Sequence, residues 1–116
     1  MGFASLGKPL RNGSVTLQPG TLSAALIVPL ADEWTDLYSI VITTNDTASQ
    51  TVTISDGTTS VGYLVGGSAG GNNPPVLDQG ATPVRFRKGA TITATAGNVT
   101  AGKTIFVNAR GLSSKT

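Results

Sequence analysis

Apolar and polar residues alternate with a period of two along much of the chain. The clearest run is TVTIS at residues 51–55, where Val52 and Ile54 alternate with Thr and Ser. Successive side chains of a strand point to opposite faces, so this pattern predicts a strand with one buried face. Residues 36–44 (DLYSIVITT) are β-branched and aromatic, and they are apolar on both faces near residues 40–42. That pattern predicts a strand in the middle of a sheet.

Other alternating or apolar segments bring the predicted total to about eight strands. They are residues 13–18, 23–28, 59–65, 83–87, 90–96 and 103–110. Pairs of turn residues separate them, and we expect Asp56 and Gly57 to supply the positive φ angles of a type I′ hairpin turn. No segment has a clear helical period. Short strands at a spacing of about ten residues predict an all-β fold, an antiparallel β-sandwich or jelly roll of about eight strands.

The length of 116 residues is enough for one domain with a modest core. We predict an N-terminal arm over residues 1–12, a β-sandwich domain over residues 13–111 and a polar tail over residues 112–116. The Gly-rich stretch at residues 66–73 lacks the residue order of a phosphate-binding loop, and no predicted helix follows it. It is therefore interpreted as a surface loop.

The composition excludes several kinds of chemistry. There is no Cys and no His, which removes disulfides, thiolate chemistry, the commonest general base and the commonest zinc ligand. A net charge of +2 gives no basis for nucleic-acid binding. No apolar run approaches the roughly 18 residues that span a membrane. We expect no cofactor, no metal, no nucleic-acid partner and no membrane partner.

Charged residues make up 12% of the chain, about half the share that is usual in soluble domains. Thr, Ser, Asn and Gln must therefore provide most of the polar surface. Such a surface suits a protein that buries part of itself against neighbouring molecules. It also suits a β protein that is simply rich in threonine, and the composition does not separate these alternatives.

The acidic and aromatic residues leave alternatives open. Turn contexts at Asp46 and Asp56 favour hydrogen bonds to their own backbone over catalysis or calcium binding. All six acidic residues lie within residues 32–78, and all eight basic residues lie outside residues 12–84. This split predicts either separate acidic and basic zones or, if the strands interleave, an even mixture. Three aromatic residues are candidates for a sugar-binding platform or for core and intersubunit packing: Trp34, Tyr38 and Tyr63.

The sequence DTASQTVTISDG at residues 46–57 resembles small virion proteins of tailed bacteriophages. The step PVRFRKG at residues 83–89 and the closing strand at residues 104–111 extend the resemblance. It implies a non-enzymatic structural protein, a head decoration or cement protein that forms trimers on the capsid exterior and contacts the major capsid protein. The resemblance also implies synthesis in the host cytoplasm and a final location on the virion surface.

Trp and Arg are the residue types enriched at interface hot spots, so they guide the choice of candidate contacts. The candidate interface residues are Lys8, Arg11, Trp34, Arg85, Arg87 and Arg110. Lys8 and Arg11 fall in the predicted arm, which we expect to lie across a shell surface, and Trp34 is the expected aromatic anchor. The alternatives are a tail, baseplate or head-fibre component and a carbohydrate-binding β-sandwich module. No pair of carboxylates with catalytic spacing supports an enzyme.

Overall fold

A computed structural model describes residues 10–66 and 83–115. These residues form eight β-strands: β1 (Leu10–Leu17), β2 (Ser23–Ile27), β3 (Trp34–Thr44), β4 (Gln50–Ser55), β5 (Ser60–Val65), β6 (Val84–Phe86), β7 (Ile92–Ala96) and β8 (Ile105–Ser114). The predicted all-β class and strand number are confirmed. None of the described residues belongs to a helix with the length and apolar character that crossing a membrane requires.

The strands form two four-stranded sheets in the orders β1-β8-β3-β6 and β2-β7-β4-β5. Every neighbouring pair is antiparallel. Strands 1, 3, 6 and 8 lie in one sheet and strands 2, 4, 5 and 7 in the other, so the chain crosses repeatedly between the sheets. This is the strand order of an eight-stranded jelly roll, which decides between the two predicted architectures.

The core lies between the sheets and follows the alternation of the sequence. Val52 and Ile54 of β4 are fully buried, as predicted, and so are Ile40 and Ile42 of β3. Strand β3 lies between β8 and β6, which confirms its central position. Val41 remains half-exposed on the outer face, so only one face of β3 contributes to the core.

The first and last strands are longer than predicted. β1 begins at Leu10, and β8 continues to Ser114, because these two strands pair with each other in the register Leu10↔Leu112. Residues 10–12 of the predicted arm and residues 112–114 of the predicted tail are therefore parts of a sheet. The remainder of the arm, including Lys8, and most of the Gly-rich stretch lie outside the described residues.

The predicted type I′ turn after β4 is wrong. Gly57 has a φ of 95°, but no described residue other than glycine has a positive φ, so Asp56 does not. Four residues connect β4 to β5, and the Asp56 carboxylate accepts hydrogen bonds from the backbone N–H groups of Thr58 and Thr59. The carboxylate of Asp56 thus binds the backbone N–H groups of a four-residue loop, which takes the place of the predicted two-residue turn.

Candidate functional site

The charged side chains of the strands are confined to one sheet. The strands β2, β7, β4 and β5 contain no Asp, Glu, Lys or Arg, and we call them the uncharged sheet. The strands β1, β8, β3 and β6 form the charged sheet, which carries Arg11, Asp36, Arg85 and Arg110. This difference was not predicted from the sequence, because it depends on the strand order.

Of the two expected charge arrangements, the ion pairs among the described residues favour the mixed one over separate acidic and basic zones. Acidic and basic residues meet in ion pairs: Arg11 with Glu33, Arg85 with Asp36, and Lys115 with Asp32. The reason is topological. Asp36 lies in β3, and Asp32 and Glu33 lie just before it, whereas the neighbouring strands β8 and β6 carry basic residues that are distant in sequence.

Arg11 is joined to Glu33, which lies just before β3. Its Nη2 and Nε atoms donate to the two carboxylate oxygens at 2.8 and 3.2 Å, and Glu33 is only 3% exposed. Hydrogen bonds from Arg11, from the backbone N–H of Leu30 and from Ser113 lower the pKa of Glu33 to about 2. Arg11 therefore ties the start of β1 to the β2–β3 connection, and its predicted contact with a shell stays a prediction.

Two of the predicted contact residues, Trp34 and Arg85, lie together at the edge of the charged sheet. Asp36 pairs with Arg85 in the β3–β6 register. The Arg85 Nε and Nη2 atoms donate to the Asp36 carboxylate at 2.7 and 2.9 Å, and the guanidinium carbon lies 5.3 Å from the centre of the Trp34 ring. A planar guanidinium suits both a carboxylate and an aromatic face. The hydrogen bonds to Asp36 raise the pKa of Arg85. We call these three residues the Trp34 cluster.

Arg87 lies beside the loop that connects β4 and β5. Its backbone N–H donates to the Asp56 carboxylate, and its side chain approaches the Thr58 hydroxyl at 3.4 Å. Burial raises the pKa of Asp56, but the N–H groups of Arg87, Thr59 and Thr58 lower it further, so the net shift is downward. Arg87 is thus held by the loop, separately from the ion pair of Arg85.

Arg110 lies in an open groove of about 660 Å³ on the outer face of the charged sheet. The groove is lined by Asn12, Gly13, Ser14, Ser39, Val41, Asn108, Ala109 and Arg110. The register sets Arg110 between Asn12 on β1 and Ser39 on β3. The Arg110 side chain is exposed and makes no hydrogen bond or ion pair within the described part of the chain.

The outer face of the uncharged sheet is a surface of hydroxyl and methyl groups. Its central strands present Thr51, Thr53, Thr93 and Thr95, and the edge strand β5 presents Leu64, which is 67% exposed. Thr95 and Ser23 share a hydrogen bond of 2.9 Å between their hydroxyls. This surface can approach another protein without removing strand charges from water, which is the costly step in burying a surface.

The three aromatic residues do not form one platform. Trp34 and Tyr38 belong to β3, but Tyr63 belongs to β5 in the other sheet and packs against the core. Burial raises the pKa of Tyr63. A sugar-binding platform that needs all three residues is therefore wrong.

Asp46 has a larger role than the turn predicted for it. Its carboxylate is fully buried and accepts four hydrogen bonds, from the Ala48 N–H, the Gln50 amide and both the N–H and hydroxyl of Thr100. The pKa of Asp46 is lowered to about 2, chiefly by the Thr100 N–H. An Asn-Asp pair after a predicted strand signals a turn, but nothing in the sequence signals Thr100 as the partner of Asp46. Across residues 10–66 and 83–115, no three His, Cys, Asp or Glu side chains gather as metal ligands.

Comparison with known proteins supports the fold. No family model and no curated protein matches the sequence. The fold is similar to that of a chain in the cyanophage Pam1 capsid asymmetric unit, with a TM-score of 0.52 and 14% identity over 90% of this chain and 83% of that chain. A chain of the virus-like particle of the giant freshwater prawn Macrobrachium rosenbergii extra small virus has a TM-score of 0.44 and 11% identity, over 90% of this chain and 78% of that chain. At 14% identity the first similarity concerns the fold alone. The chain therefore has a jelly-roll fold of the kind present in a viral capsid structure.

Proposed function

We propose that this protein is a non-enzymatic structural component of a virus particle that decorates or cements the capsid exterior as a trimer. The observation that carries the proposal is the jelly-roll fold, which is similar to that of a chain from a cyanophage capsid asymmetric unit. The hydrogen bonds of three acidic residues also support a non-enzymatic role. Asp36, Asp46 and Glu33 are all engaged in hydrogen bonds that hold the fold together.

The uncharged sheet is the surface that we assign to the shell. Four strands spaced by about 4.8 Å, each contributing about six residues, give a face on the order of 400 Å². This is smaller than the roughly 800 Å² per partner of a stable interface. A single contact through this face is weak, and repetition over a shell of many identical sites raises the overall attachment by avidity.

The Trp34 cluster is the surface that we assign to contacts between copies. It lies beside β6, the short edge strand of the charged sheet, where a neighbouring copy can approach from the side. Trp and Arg together provide an aromatic anchor and a planar donor, which are the residue types that dominate interface hot spots. The charged sheet otherwise faces water in this arrangement.

Light scattering and sedimentation with bare capsid shells test both assignments. We expect the purified chain to be a trimer that binds shells to saturation. Trp34→Ala is expected to weaken the trimer. Thr51→Lys, which adds a charge to the uncharged sheet, is expected to weaken shell binding, whereas Thr16→Lys on the outer face of the charged sheet is the matched control. A monomer without shell affinity overturns the proposal.

The N-terminal arm needs its own variant. A deletion of residues 1–9 removes Lys8 and leaves all of β1, which is Leu10–Leu17, in place. If shell occupancy is unchanged by this deletion, the arm makes no contact with the shell.

A further inference from the structure

The groove around Arg110 has an excess of hydrogen-bond donors. The Ser14 hydroxyl donates to the Asn108 side-chain oxygen at 2.6 Å. One of the two lone pairs of that amide oxygen is therefore occupied, and the two N–H groups of Asn108 remain available to a ligand. Arg110 adds the five N–H donors of an exposed guanidinium that has no partner within the described part of the chain. A complementary ligand must supply several acceptors.

The charges around the groove favour an anion. Among the described residues of this face, the acidic one is Asp36, which pairs with Leu112, two residues beyond Arg110 on β8. The carboxylate of Asp36 already receives the two donors of Arg85, so it does not neutralise Arg110. Guanidinium groups bind planar carboxylates through two parallel hydrogen bonds, and the charge of Arg110 is free for this purpose.

The other groups favour a saccharide over a peptide as the carrier of the carboxylate. The groove lies on the face of β1, β8 and β3, where β8 is paired on both sides. The backbone groups of β8 are used in these ladders, so an added peptide cannot be held there by strand pairing. Asn12 and Ser39 instead offer side-chain donors and acceptors, which match hydroxyl groups that both donate and accept.

Size and shape agree with a saccharide. A volume of about 660 Å³ lies within the range of about 300–1,000 Å³ that is usual for small-molecule sites. Phe106 is 45% exposed on the same face of β8 as Asn108. It lies two residues away, which is about 7 Å along a strand. An exposed ring at that distance offers an apolar surface to the C–H face of a pyranose.

We propose that this groove binds acidic saccharides, with Arg110 receiving the carboxylate of a uronic or sialic acid and Asn108, Asn12 and Ser39 binding the ring hydroxyls. This is a different surface from the uncharged sheet assigned to the shell. If the protein is attached to the shell through the uncharged sheet, the groove on the charged sheet faces the surroundings of the particle.

Isothermal titration calorimetry with defined oligosaccharides tests the proposal. The acidic probes are trigalacturonic acid and sialyllactose, and the neutral probes are galactotriose and lactose. We expect saturable binding of at least one acidic probe and binding of its neutral counterpart that is about tenfold weaker or more, since the charge-assisted bonds to Arg110 are absent. Arg110→Gln is expected to remove this preference and Asn108→Ala to weaken binding.

Lys88→Gln is the matched control, because Lys88 is an exposed cation outside the groove with no ion pair among the described residues. It should bind the acidic probe as the unsubstituted chain does.

Equal losses of affinity for the acidic probe in Arg110→Gln and Lys88→Gln overturn the site in favour of general charge attraction. Absence of binding to both acidic probes overturns it as well. A glutamate-rich peptide that binds as tightly through Arg110 overturns the choice of saccharide. Unchanged thermal unfolding of the variants shows that each effect comes from the groove.

Discussion

Asp46 and Thr100 are 54 residues apart in the chain, yet the Thr100 N–H and hydroxyl both donate to the Asp46 carboxylate, at 2.9 and 2.8 Å. Asp46 lies in the loop after β3, and Thr100 lies between β7 and β8. This contact therefore links two connections that cross between the sheets. A buried carboxylate is tolerated here because four hydrogen bonds replace the water that it loses.

We predict that Asp46→Asn lowers the free energy of unfolding at pH 7. An amide at this position keeps one acceptor oxygen, but it places two donors where Thr100, Ala48 and Gln50 already donate. Urea unfolding followed by tryptophan fluorescence measures the loss. Asp32→Asn is the control, because Asp32 forms only an exposed pair with Lys115 at 3.3 Å, and such pairs contribute little. Equal stability of the two variants at pH 7 contradicts the role of Asp46.

The stability of the protein should depend on acid pH in a defined direction. The pKa values of Asp46 and Glu33 are lowered from 3.8 and 4.5 to about 2 in the folded chain. A lowered carboxylate pKa stabilises the fold above the unfolded-state pKa, and this contribution is lost as pH falls through the folded value. The contribution of these two carboxylates to the free energy of unfolding should therefore be constant above about pH 5 and fall between about pH 4.5 and 2.

The substitution and the pH effect can be combined. In Asp46→Asn the acid-induced loss should be smaller than in the unsubstituted chain, since one of the titrating groups is gone, and the difference between the two proteins should shrink towards pH 2. Asp32→Asn should keep the full acid dependence. An unchanged pH profile in Asp46→Asn contradicts the lowered pKa of that residue.

Local patterns in the sequence were enough to predict the strands but not the contacts between distant residues. The burial of Val52 and Ile54 follows from alternation, which is a property of neighbouring positions. The link from Asp46 to Thr100 and the stacking of Arg85 on Trp34 depend on which strands pair and in what register. Short strands without distinctive turn chemistry leave strand order open, so neither contact could be predicted. For the same reason Arg11 was assigned to an arm, although pairing with β8 places it in a sheet.

Gly13→Ala is predicted to destabilise the fold strongly. A Cβ atom at Gly13 would lie 1.8 Å from the Leu26 carbonyl oxygen and 2.8 Å from its carbonyl carbon. Gly13 lies in β1 and Leu26 in β2, so the added methyl group must force the two sheets apart at this point. Overpacking of this kind costs about 1–3 kcal/mol and occasionally more, and we expect a loss at the upper end because the clash is with backbone atoms. Chemical denaturation of the variant measures the loss.

Gly62→Ala is the matched control for that substitution. Gly62 lies within strand β5, and apart from its chain neighbours no described residue has an atom within 4 Å of the position of its added Cβ. Alanine should raise stability there by about 0.5 kcal/mol, because glycine loses more conformational freedom on folding. A similar change in stability in both variants would show that the close approach of Gly13 to Leu26 is not the cause of the loss.

Thr35→Val is predicted to stabilise the protein. Thr35 is fully buried in β3, and its hydroxyl has no hydrogen-bond partner among the described residues. Valine has nearly the same shape and removes an unsatisfied polar group, so the gain should be about 1 kcal/mol.

Thr44→Val, in the same strand, should lower the free energy of unfolding. The Thr44 hydroxyl donates to the Thr104 carbonyl at 2.6 Å and accepts from the Asp46 N–H at 3.0 Å, and leaving these groups unpaired costs about 1–3 kcal/mol.

Thermal and urea unfolding of the two valine variants give a direct comparison, because both substitutions replace a buried hydroxyl of β3 by a methyl group. The loss of a hydroxyl is therefore common to both, and only the presence of partners differs. If Thr35→Val is destabilised as much as Thr44→Val, then the hydroxyl of Thr35 has a hydrogen-bond partner in solution, such as an internal water molecule. That result would contradict the predicted gain in the free energy of unfolding.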